Sequence, residues 1–216
     1  MGDGSVNAAH SYTSCMPARA SCSGVNERLG ILGGTFDPVH IGHIVAAVDV
    51  RAALGLDRVL LVPAGDPWQK RGRVVASREQ RVAMAGLACA GIDGLGVSRV
   101  EVDREGPTVT ADTLEELAGA DRELFLLLGA DAAANMPTWR RLDETRSLAT
   151  VVVIEREGEH ADPPGPGWRF QHVAIPRLDV SSSEIRERQR SGRPIDGLTP
   201  SGVVRFIREH CLYTAH

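Results

Sequence analysis

The segment Gly33–His43, which reads GGTFDPVHIGH, carries the densest group of residues that could do chemistry. Gly33 and Gly34 would let a ligand approach the backbone closely. His40 and His43 stand three residues apart, so the first turn of a helix would present both imidazoles on one side. A helix start favours a phosphate group through its unpaired N–H groups and partial positive charge. Imidazoles beside it can donate hydrogen bonds to phosphoryl oxygens as negative charge builds, so the segment predicts a site for phosphate chemistry.

The two histidines have two simpler explanations, a metal site and a structural turn. A metal site needs a third and a fourth ligand, and we find none at a suitable spacing. A turn is favoured by Asp37 followed by Pro38, but it would need neither histidine. We therefore expect no metal ligands here.

A second candidate phosphate site is the segment Val180–Arg186, which reads VSSSEIR. Hydroxyl and N–H groups of Ser182 and Ser183 at a helix start, with Arg186 one turn later, would suit phosphate oxygens. Taken alone, an ordinary helix cap with a solvated arginine would explain these residues better. The presence of the first site favours the phosphate interpretation.

Strand and helix patterns alternate along the chain, and they must position these residues. Short apolar runs predict strands and amphipathic spacing predicts helices, which together indicate an α/β domain with a parallel sheet covered by helices on both faces. Ligands bind such sheets at the carboxyl ends of the strands, and the first candidate site begins at the end of the strand Leu29–Gly33. The predicted strands are Leu29–Gly33, Arg58–Pro63, Val97–Val102, Glu123–Leu128 and Thr150–Ile154. The predicted helices are Ile41–Leu54, Ser77–Ala90 with Gln80 completing a capping box, Thr110–Leu117, one from about Ser182, and one after Pro200 capped by Thr199.

Length and composition restrict the class of protein. The 216 residues, 43% hydrophobic, suit one globular domain. A net charge of -4 argues against a dedicated nucleic-acid-binding protein. No apolar run is long enough to span a membrane, and four cysteines are too few and scattered for a disulfide framework or a zinc module. We find no secretory signal and expect a cytoplasmic protein. Residues 1–26, rich in Gly, Ser, Ala and Asn, are expected to form a disordered extension before a domain at 27–216.

GGTFDPVHIGH resembles the first motif of the nucleotidylyltransferase superfamily, and specifically of bacterial nicotinate-mononucleotide adenylyltransferases. Val180–Arg186 is similar to their second motif, a Ser/Thr-rich turn ending in Ile-x-Arg, with Ser183 where threonine is usual. The resemblance implies a Rossmann-like doubly wound parallel sheet. It also implies adenylyl transfer from ATP to nicotinate mononucleotide, giving deamido-NAD and pyrophosphate in NAD biosynthesis.

Three further segments resemble parts of this family. Pro63–Lys70 (PAGDPWQK) is similar to a loop whose lysine approaches the nucleotide phosphates, and Lys70 is the one lysine among the 24 basic residues. Gly106–Thr113 (GPTVTADT) is similar to the segment GPSYTxDT, which implies that Thr110 holds the nicotinate carboxylate. Gly129-Ala130-Asp131 followed by Trp139 is similar to the element GAD…W, which implies that Asp131 binds ribose and Trp139 stacks on the pyridine ring.

The resemblance therefore implies a complete set of site residues. The implied catalytic residues are His40, His43, Lys70 and Arg186, and the implied mononucleotide-binding residues are Thr110, Asn135 (through a backbone N–H nearby) and Trp139. Mg²⁺ would be carried mainly by the ATP phosphates, because the motifs supply no carboxylate cage, and a homo-oligomer is possible. The implied ATP-binding residues are Gly33, Gly34, Thr35, Phe36, His40, His43, Lys70, Gly129, Asp131, Arg156, Ser182, Ser183 and Arg186.

Three alternatives remain beside this hypothesis. Phosphopantetheine adenylyltransferases share the phosphate site, but they usually have threonine at the position of His40 and lack the GAD…W element. Class I aminoacyl-tRNA synthetases also contain HIGH, but they need a lysine-rich second motif. A non-catalytic nucleotide sensor would be expected to have lost His43, Lys70 or Arg186, and all three are present.

Overall fold

The computed structural model describes residues 26–66, 75–156 and 165–214. The expected extension at 1–26 therefore lies outside the described residues except for its last residue. Lys70 also lies outside them. The strands are β1 (Glu27–Gly34), β2 (Arg58–Pro63), β3 (Leu95–Val97), β4 (Arg122–Gly129), β5 (Ala149–Arg156) and β6 (Phe170–Ile175). The helices are α1 (Ile41–Leu54), α2 (Arg78–Cys89), α3 (Val100–Asp103), α4 (Thr110–Leu117), α5 (Ala130–Asn135), α6 (Leu142–Leu148), α7 (Ser182–Arg190) and α8 (Ser201–Glu209).

All six strands form one parallel sheet in the order β3-β2-β1-β4-β5-β6. This order confirms the Rossmann-like doubly wound fold. The chain winds outward from β1 in one direction and then returns to build the other half from β4. The carboxyl ends of β1 and β4 therefore lie side by side at the point where the winding reverses, which is where such sheets bind ligands.

Two hydrophobic clusters cover the two faces of the sheet. One cluster contains the buried sides of α1, α2, α7 and α8, and the other contains residues of α4 and α5. The central strands are buried on both faces because their inner sequences, LGIL in β1 and LFLLL in β4, are continuously apolar or small. Helices on both faces are thus confirmed. No helix in the described part of the chain is long and apolar enough to cross a membrane.

Helix ends follow the chemistry of their capping residues. Helix α1 ends at Gly55, whose φ of 59° lies in the left-handed region that glycine tolerates. Helix α2 begins after Ser77, whose hydroxyl accepts from the Gln80 N–H while the Gln80 side chain accepts from the Ser77 N–H. The predicted capping box is therefore confirmed.

The predicted strand Val97–Val102 is wrong over most of its length. Its alternating valines favour a strand, but β3 ends at Val97 and α3 starts at Val100. The Ser98 hydroxyl accepts from the Val100 N–H and turns the chain. The turn buries Glu101, whose carboxylate accepts from the Thr113 hydroxyl at 2.8 Å.

Two further differences concern the last third of the chain. Strand β6 was not predicted, because only Val173 and Ile175 of its six residues are buried and the apolar pattern is weak. Thr199 does not cap α8, since Pro200 occupies that position. The Thr199 hydroxyl instead donates to the Val39 carbonyl at 2.7 Å, which ties the start of α8 to the start of α1.

Candidate active site

A cleft of about 810 Å³ opens at the carboxyl ends of β1 and β4. It is bounded by the loop between β1 and α1, the start of α5, the end of β6 and the start of α7. The cleft brings together most of the predicted nucleotide-binding residues. Those that line it are Gly33, Gly34, Thr35, Phe36, His40, His43, Gly129, Asp131, Ser182, Ser183 and Arg186.

The glycines of the cleft have different roles. No atom lies within 4 Å of the position that a Cβ would take at Gly33 or at Gly129, so the space beside the ends of β1 and β4 is open. At Gly34, by contrast, a Cβ would lie 2.9 Å from Cζ of the Phe36 ring. Gly33 and Gly129 thus leave room for a ligand, whereas Gly34 leaves room for Phe36.

Phe36 shapes the turn that carries the histidines. Its φ of 51° lies in the left-handed region, which for a bulky residue costs about 1–3 kcal/mol. The ring is almost fully buried, so hydrophobic burial offsets that cost. The ring also contacts His43 in a T-shaped arrangement, with ring centroids 5.0 Å apart and planes at 82°.

The two imidazoles are stacked at the start of α1. Their centroids are 3.7 Å apart and their planes differ by 25°. The His40 N–H donates to Nδ1 of His43 at 3.2 Å. A neutral imidazole whose Nδ1 accepts a hydrogen bond carries its proton on Nε2. His43 is therefore prepared to act as a hydrogen-bond donor through Nε2.

The start of α1 offers fewer free N–H groups than its sequence predicts. The Ile41 N–H donates to the Leu198 carbonyl at 3.1 Å, and the His43 N–H donates to the His40 carbonyl at 3.0 Å. Gly42 lies between them and lines the cleft. The side chains, more than the backbone, therefore provide the donors of this first site.

The start of α7 is a more open helix N-terminus. Ser181 is its cap, and the Ser181 hydroxyl accepts from the Glu184 N–H at 3.1 Å. Ser182 and Ser183 occupy the first two helical positions, whose N–H groups have no partner inside a helix. The Ser182 hydroxyl donates to the Pro38 carbonyl at 2.8 Å, which joins the second site to the first.

Arg186 is held between the two sites. One guanidinium nitrogen donates to the Asp37 carbonyl at 2.7 Å, and the other donates to the Ser183 hydroxyl at 3.2 Å. Its side chain is only 16% exposed. The guanidinium thus lines the cleft in a fixed position, as a phosphate-binding arginine requires.

Two buried charges behind the cleft were not among the predicted site residues. Asp37 was expected only to favour a turn, yet it is 3% exposed. Arg81 is 1% exposed and donates to the carbonyls of Thr35 at 2.9 Å and Gly65 at 3.4 Å. Burial lowers the pKa of Arg81, and the negative charge of Asp37 opposes that shift. Arg81 interrupts the buried face of α2, which contains Met84, and this interruption of an apolar face is a pattern that sequence reasoning could have detected.

The predicted mononucleotide-binding residues do not line the cleft. Thr110 begins α4, and Asn135 is exposed at the end of α5. Trp139 is half-buried against the hydrophobic cluster on the α5 side of the sheet. Arg156 ends β5. Within residues 26–66, 75–156 and 165–214, no three His, Cys, Asp or Glu side chains are grouped so that they could hold a metal ion.

The chain is similar in sequence to known adenylyltransferases. Residues 31–188 match the family described as cytidylyltransferase-like. A probable nicotinate-nucleotide adenylyltransferase of Corynebacterium kroppenstedtii is 48% identical over 191 residues, which is 86% of this chain and 90% of the relative. A protein of Frankia alni with the same description is 49% identical over 186 residues, covering 84% and 98% of the two chains.

Solved structures show the same fold. The Plasmodium falciparum nicotinic acid mononucleotide adenylyltransferase complexed with APC matches with a TM-score of 0.71 and 19% identity, over 87% of this chain and 97% of the other. Its complex with NaAD matches with a TM-score of 0.69 and 18% identity, over the same shares. Because the family model covers most of the chain and the relatives are nearly half identical to it, the chain belongs to the nicotinate-nucleotide adenylyltransferases of the cytidylyltransferase-like family.

Proposed function

We propose that this chain transfers the adenylyl group of ATP to nicotinate mononucleotide, releasing pyrophosphate and forming deamido-NAD for NAD biosynthesis. The observation that carries the proposal is the cleft in which the stacked pair His40 and His43 faces Arg186 and the start of α7. These groups are hydrogen-bond donors around a space of about 810 Å³, which suits an anionic ligand. The descriptions of the relatives support ATP and nicotinate mononucleotide as the substrates.

The reaction requires positioning and charge stabilisation. The 5′-phosphate of the mononucleotide attacks the α-phosphorus of ATP in line, the new P–O bond forms, and the bond to the leaving pyrophosphate breaks. The attacking oxygen is already anionic, so no general base and no covalent enzyme intermediate is needed. Catalysis then depends on donors aimed at the oxygens on which charge develops.

Each residue of the cleft has a role in this scheme. His43, with its proton on Nε2, donates to an oxygen at the reacting phosphorus, and His40 supports it by stacking. Arg186 and the N–H groups of Ser182 and Ser183 bind the β- and γ-phosphates and the departing pyrophosphate. Lys70, which lies outside the described residues, is assigned to the same phosphates from its motif alone.

The remaining predicted contacts extend the site on both sides of the reacting phosphates. Asp131, at the start of α5, accepts hydrogen bonds from ribose hydroxyls. The pyridine ring lies further along α5, near Trp139, with its carboxylate held by Thr110 and a backbone N–H near Asn135. The apolar wall formed by Ile175, Leu178 and their neighbours suits the adenine base.

Mg²⁺ is assigned to the substrate more than to the protein. The described residues offer no group of three metal ligands, and the carboxylate of Asp37, which is among the residues lining the cleft, already accepts three hydrogen bonds. Mg²⁺ bound to ATP usually keeps several water ligands and needs few protein carboxylates. It would neutralise part of the phosphate charge.

The experiment that tests the proposal is pyrophosphate release from ATP by the purified chain. Nicotinate mononucleotide, nicotinamide mononucleotide and phosphopantetheine are supplied in parallel, and the dinucleotide product is identified by mass spectrometry. We expect the highest specificity constant for nicotinate mononucleotide. Preference for phosphopantetheine would assign the chain to the other adenylyltransferase activity, and ATP binding without turnover would indicate a sensor.

A further inference from the structure

Asp37 is the centre of a buried network behind the proposed phosphate site. Its carboxylate accepts from the N–H groups of Val75 at 2.9 Å and Ala76 at 3.0 Å, and from the Tyr213 hydroxyl at 2.7 Å. These donors come from the segment before α2 and from the residues after α8. One carboxylate therefore joins three parts of the chain that are far apart in sequence.

The same residue also holds Arg186. The Asp37 carbonyl accepts from the guanidinium at 2.7 Å, and the nearest carboxylate oxygen lies 3.9 Å from the same nitrogen. The position of Arg186 therefore depends on how the backbone at Asp37 is oriented. The orientation of that backbone is in turn fixed by the hydrogen bonds of the buried carboxylate.

Tyr213 is suited to fix the Asp37 carboxylate. It is 5% exposed, and burial together with the negative charge of Asp37 raises the pKa of its hydroxyl far above the ordinary value. The hydroxyl thus stays protonated and remains a donor at neutral pH. A charge-assisted hydrogen bond in such surroundings is among the stronger ones in proteins.

We propose that Asp37 and Tyr213 are positioning residues, which orient the turn before α1 and thereby direct Arg186 toward the β- and γ-phosphates of ATP. Neither residue has to touch a substrate. The role rests on the proposed function, because the orientation of Arg186 affects the rate only if Arg186 binds the phosphates of the substrate. The proposal predicts that the loss of either residue lowers activity by displacing Arg186, and not only by destabilising the fold.

A double-mutant cycle tests this role. Tyr213→Phe keeps the ring but removes the donor, and we expect kcat to fall about tenfold while the KM for nicotinate mononucleotide stays unchanged. In an Arg186→Gln background, the same Tyr213→Phe change should have almost no further effect, because the residue it positions is already gone. Asp37→Asn, the second variant, should show the same dependence on Arg186.

The rates are measured in single turnovers with excess enzyme, and the affinity for a non-hydrolysable ATP analogue is measured on the same variants. Where a variant turns over too slowly for its rate to be measured, the cycle is evaluated from its affinity for the ATP analogue. Thr199→Val is the matched control, because it also removes a buried hydroxyl bonded to this turn, at Val39, without contacting Arg186. The loss of activity caused by Thr199→Val should be the same in the unmodified chain and in the Arg186→Gln background.

The two failures are distinguishable. An unmodified chain that releases no pyrophosphate would contradict the proposed function. If the unmodified chain is active, the positioning role alone is tested by comparing the two backgrounds. It would be contradicted if Tyr213→Phe and Asp37→Asn reduced activity or ATP affinity as much in the Arg186→Gln background as in the unmodified chain. Circular dichroism and melting curves establish that each variant is folded before the cycle is evaluated.

Discussion

His43 shows how single contacts prepare a side chain for chemistry. Its Nδ1 accepts from the His40 N–H, its ring stacks on His40, and it makes a T-shaped contact with the Phe36 ring. These contacts restrict both χ angles and the tautomer before any ligand binds. A donor that needs no reorganisation stabilises developing charge more effectively than one that must first be ordered.

The first prediction follows from this fixed donor. His43→Ala should lower turnover by about 10²–10³, the scale for removing one preorganised donor to a developing anion. ATP binding should weaken much less, because the interaction is strongest in the transition state. Steady-state kinetics and calorimetric ATP binding measure both effects. His210→Ala, which removes an exposed imidazole stacked on Phe206, is the control. A His43→Ala enzyme that keeps half its turnover would contradict the assignment.

A second prediction concerns Glu101, which is buried beneath the loop after β2. Burial raises its pKa above the ordinary value of 4.5, and the hydrogen bond from Thr113 only partly opposes the shift. Folding therefore favours the protonated form, so this carboxyl contributes stability at low pH that is lost as pH rises above about 4.5.

Glu101→Gln should remove this loss of stability with rising pH. The free energy of unfolding of the unmodified chain, relative to the variant, should fall as pH rises from 4.5 toward neutrality. Urea unfolding at several pH values measures the difference. Glu209→Gln, at an exposed position on α8, is the control. A difference that stays constant with pH would show that Glu101 is not penalised by burial.

The elements that place the site differ in how plainly their sequences specify them. β1, β2, β4 and β5 are continuous apolar runs, and their positions were predicted to within a few residues. β3 and β6 lie at the edges of the sheet, where less of each strand is buried and the apolar pattern is correspondingly weak. Helix α3 could not be predicted because it depends on a local Ser98 hydrogen bond and on burial of Glu101.

The third prediction compares two glycines on different elements. Gly33 is the penultimate residue of β1 and lies beside the open cleft, whereas Gly86 lies on the exposed side of α2, and neither has an atom within 4 Å of its Cβ position. Gly33→Ala should raise the KM for ATP by roughly 5- to 150-fold, the equivalent of 1–3 kcal/mol of overpacking against a ligand, without lowering the melting temperature.

Gly86→Ala should affect stability and not ATP use. It should raise the free energy of unfolding by about 0.5–1 kcal/mol, because alanine loses less backbone entropy in a helix, and leave the KM for ATP unchanged. Thermal melts and ATP kinetics on the two variants provide the measurement. Normal ATP use by Gly33→Ala would show that the ligand does not approach the end of β1.

At the scale of the whole molecule, the fold joins two motifs that are distant in sequence. Ser182 contacts Pro38 across 144 positions, and Arg186 contacts Asp37 across 149. Each motif was evident in the sequence, but their juxtaposition follows from the strand order. The network around Asp37 was not predicted, because its hydrogen bonds come from the backbone at Val75 and Ala76 and from Tyr213, which are remote in sequence and leave no local pattern.

The fourth prediction concerns the choice between acid and amide substrates. The residues assigned to the pyridine end supply donors and no cationic side chain, so selectivity depends on hydrogen bonds to the carboxylate. Each such bond contributes roughly 1.5–3 kcal/mol, so two would favour nicotinate mononucleotide by about 10²–10⁴. Thr110→Val should mainly penalise the acid, whereas Trp139→Ala should impair both substrates. Equal specificity constants for acid and amide in the unmodified enzyme would show that the pocket is misplaced.

The central claim is that the cleft at the ends of β1 and β4 is where the adenylyl group is transferred. A crystal structure of the chain with deamido-NAD tests it most directly. We predict that the pyrophosphate bridge of the product lies between His43 and Arg186, with the α7 N–H groups of Ser182 and Ser183 facing the space vacated by the leaving pyrophosphate. A product whose phosphates lie outside this cleft, away from both residues, would contradict the account.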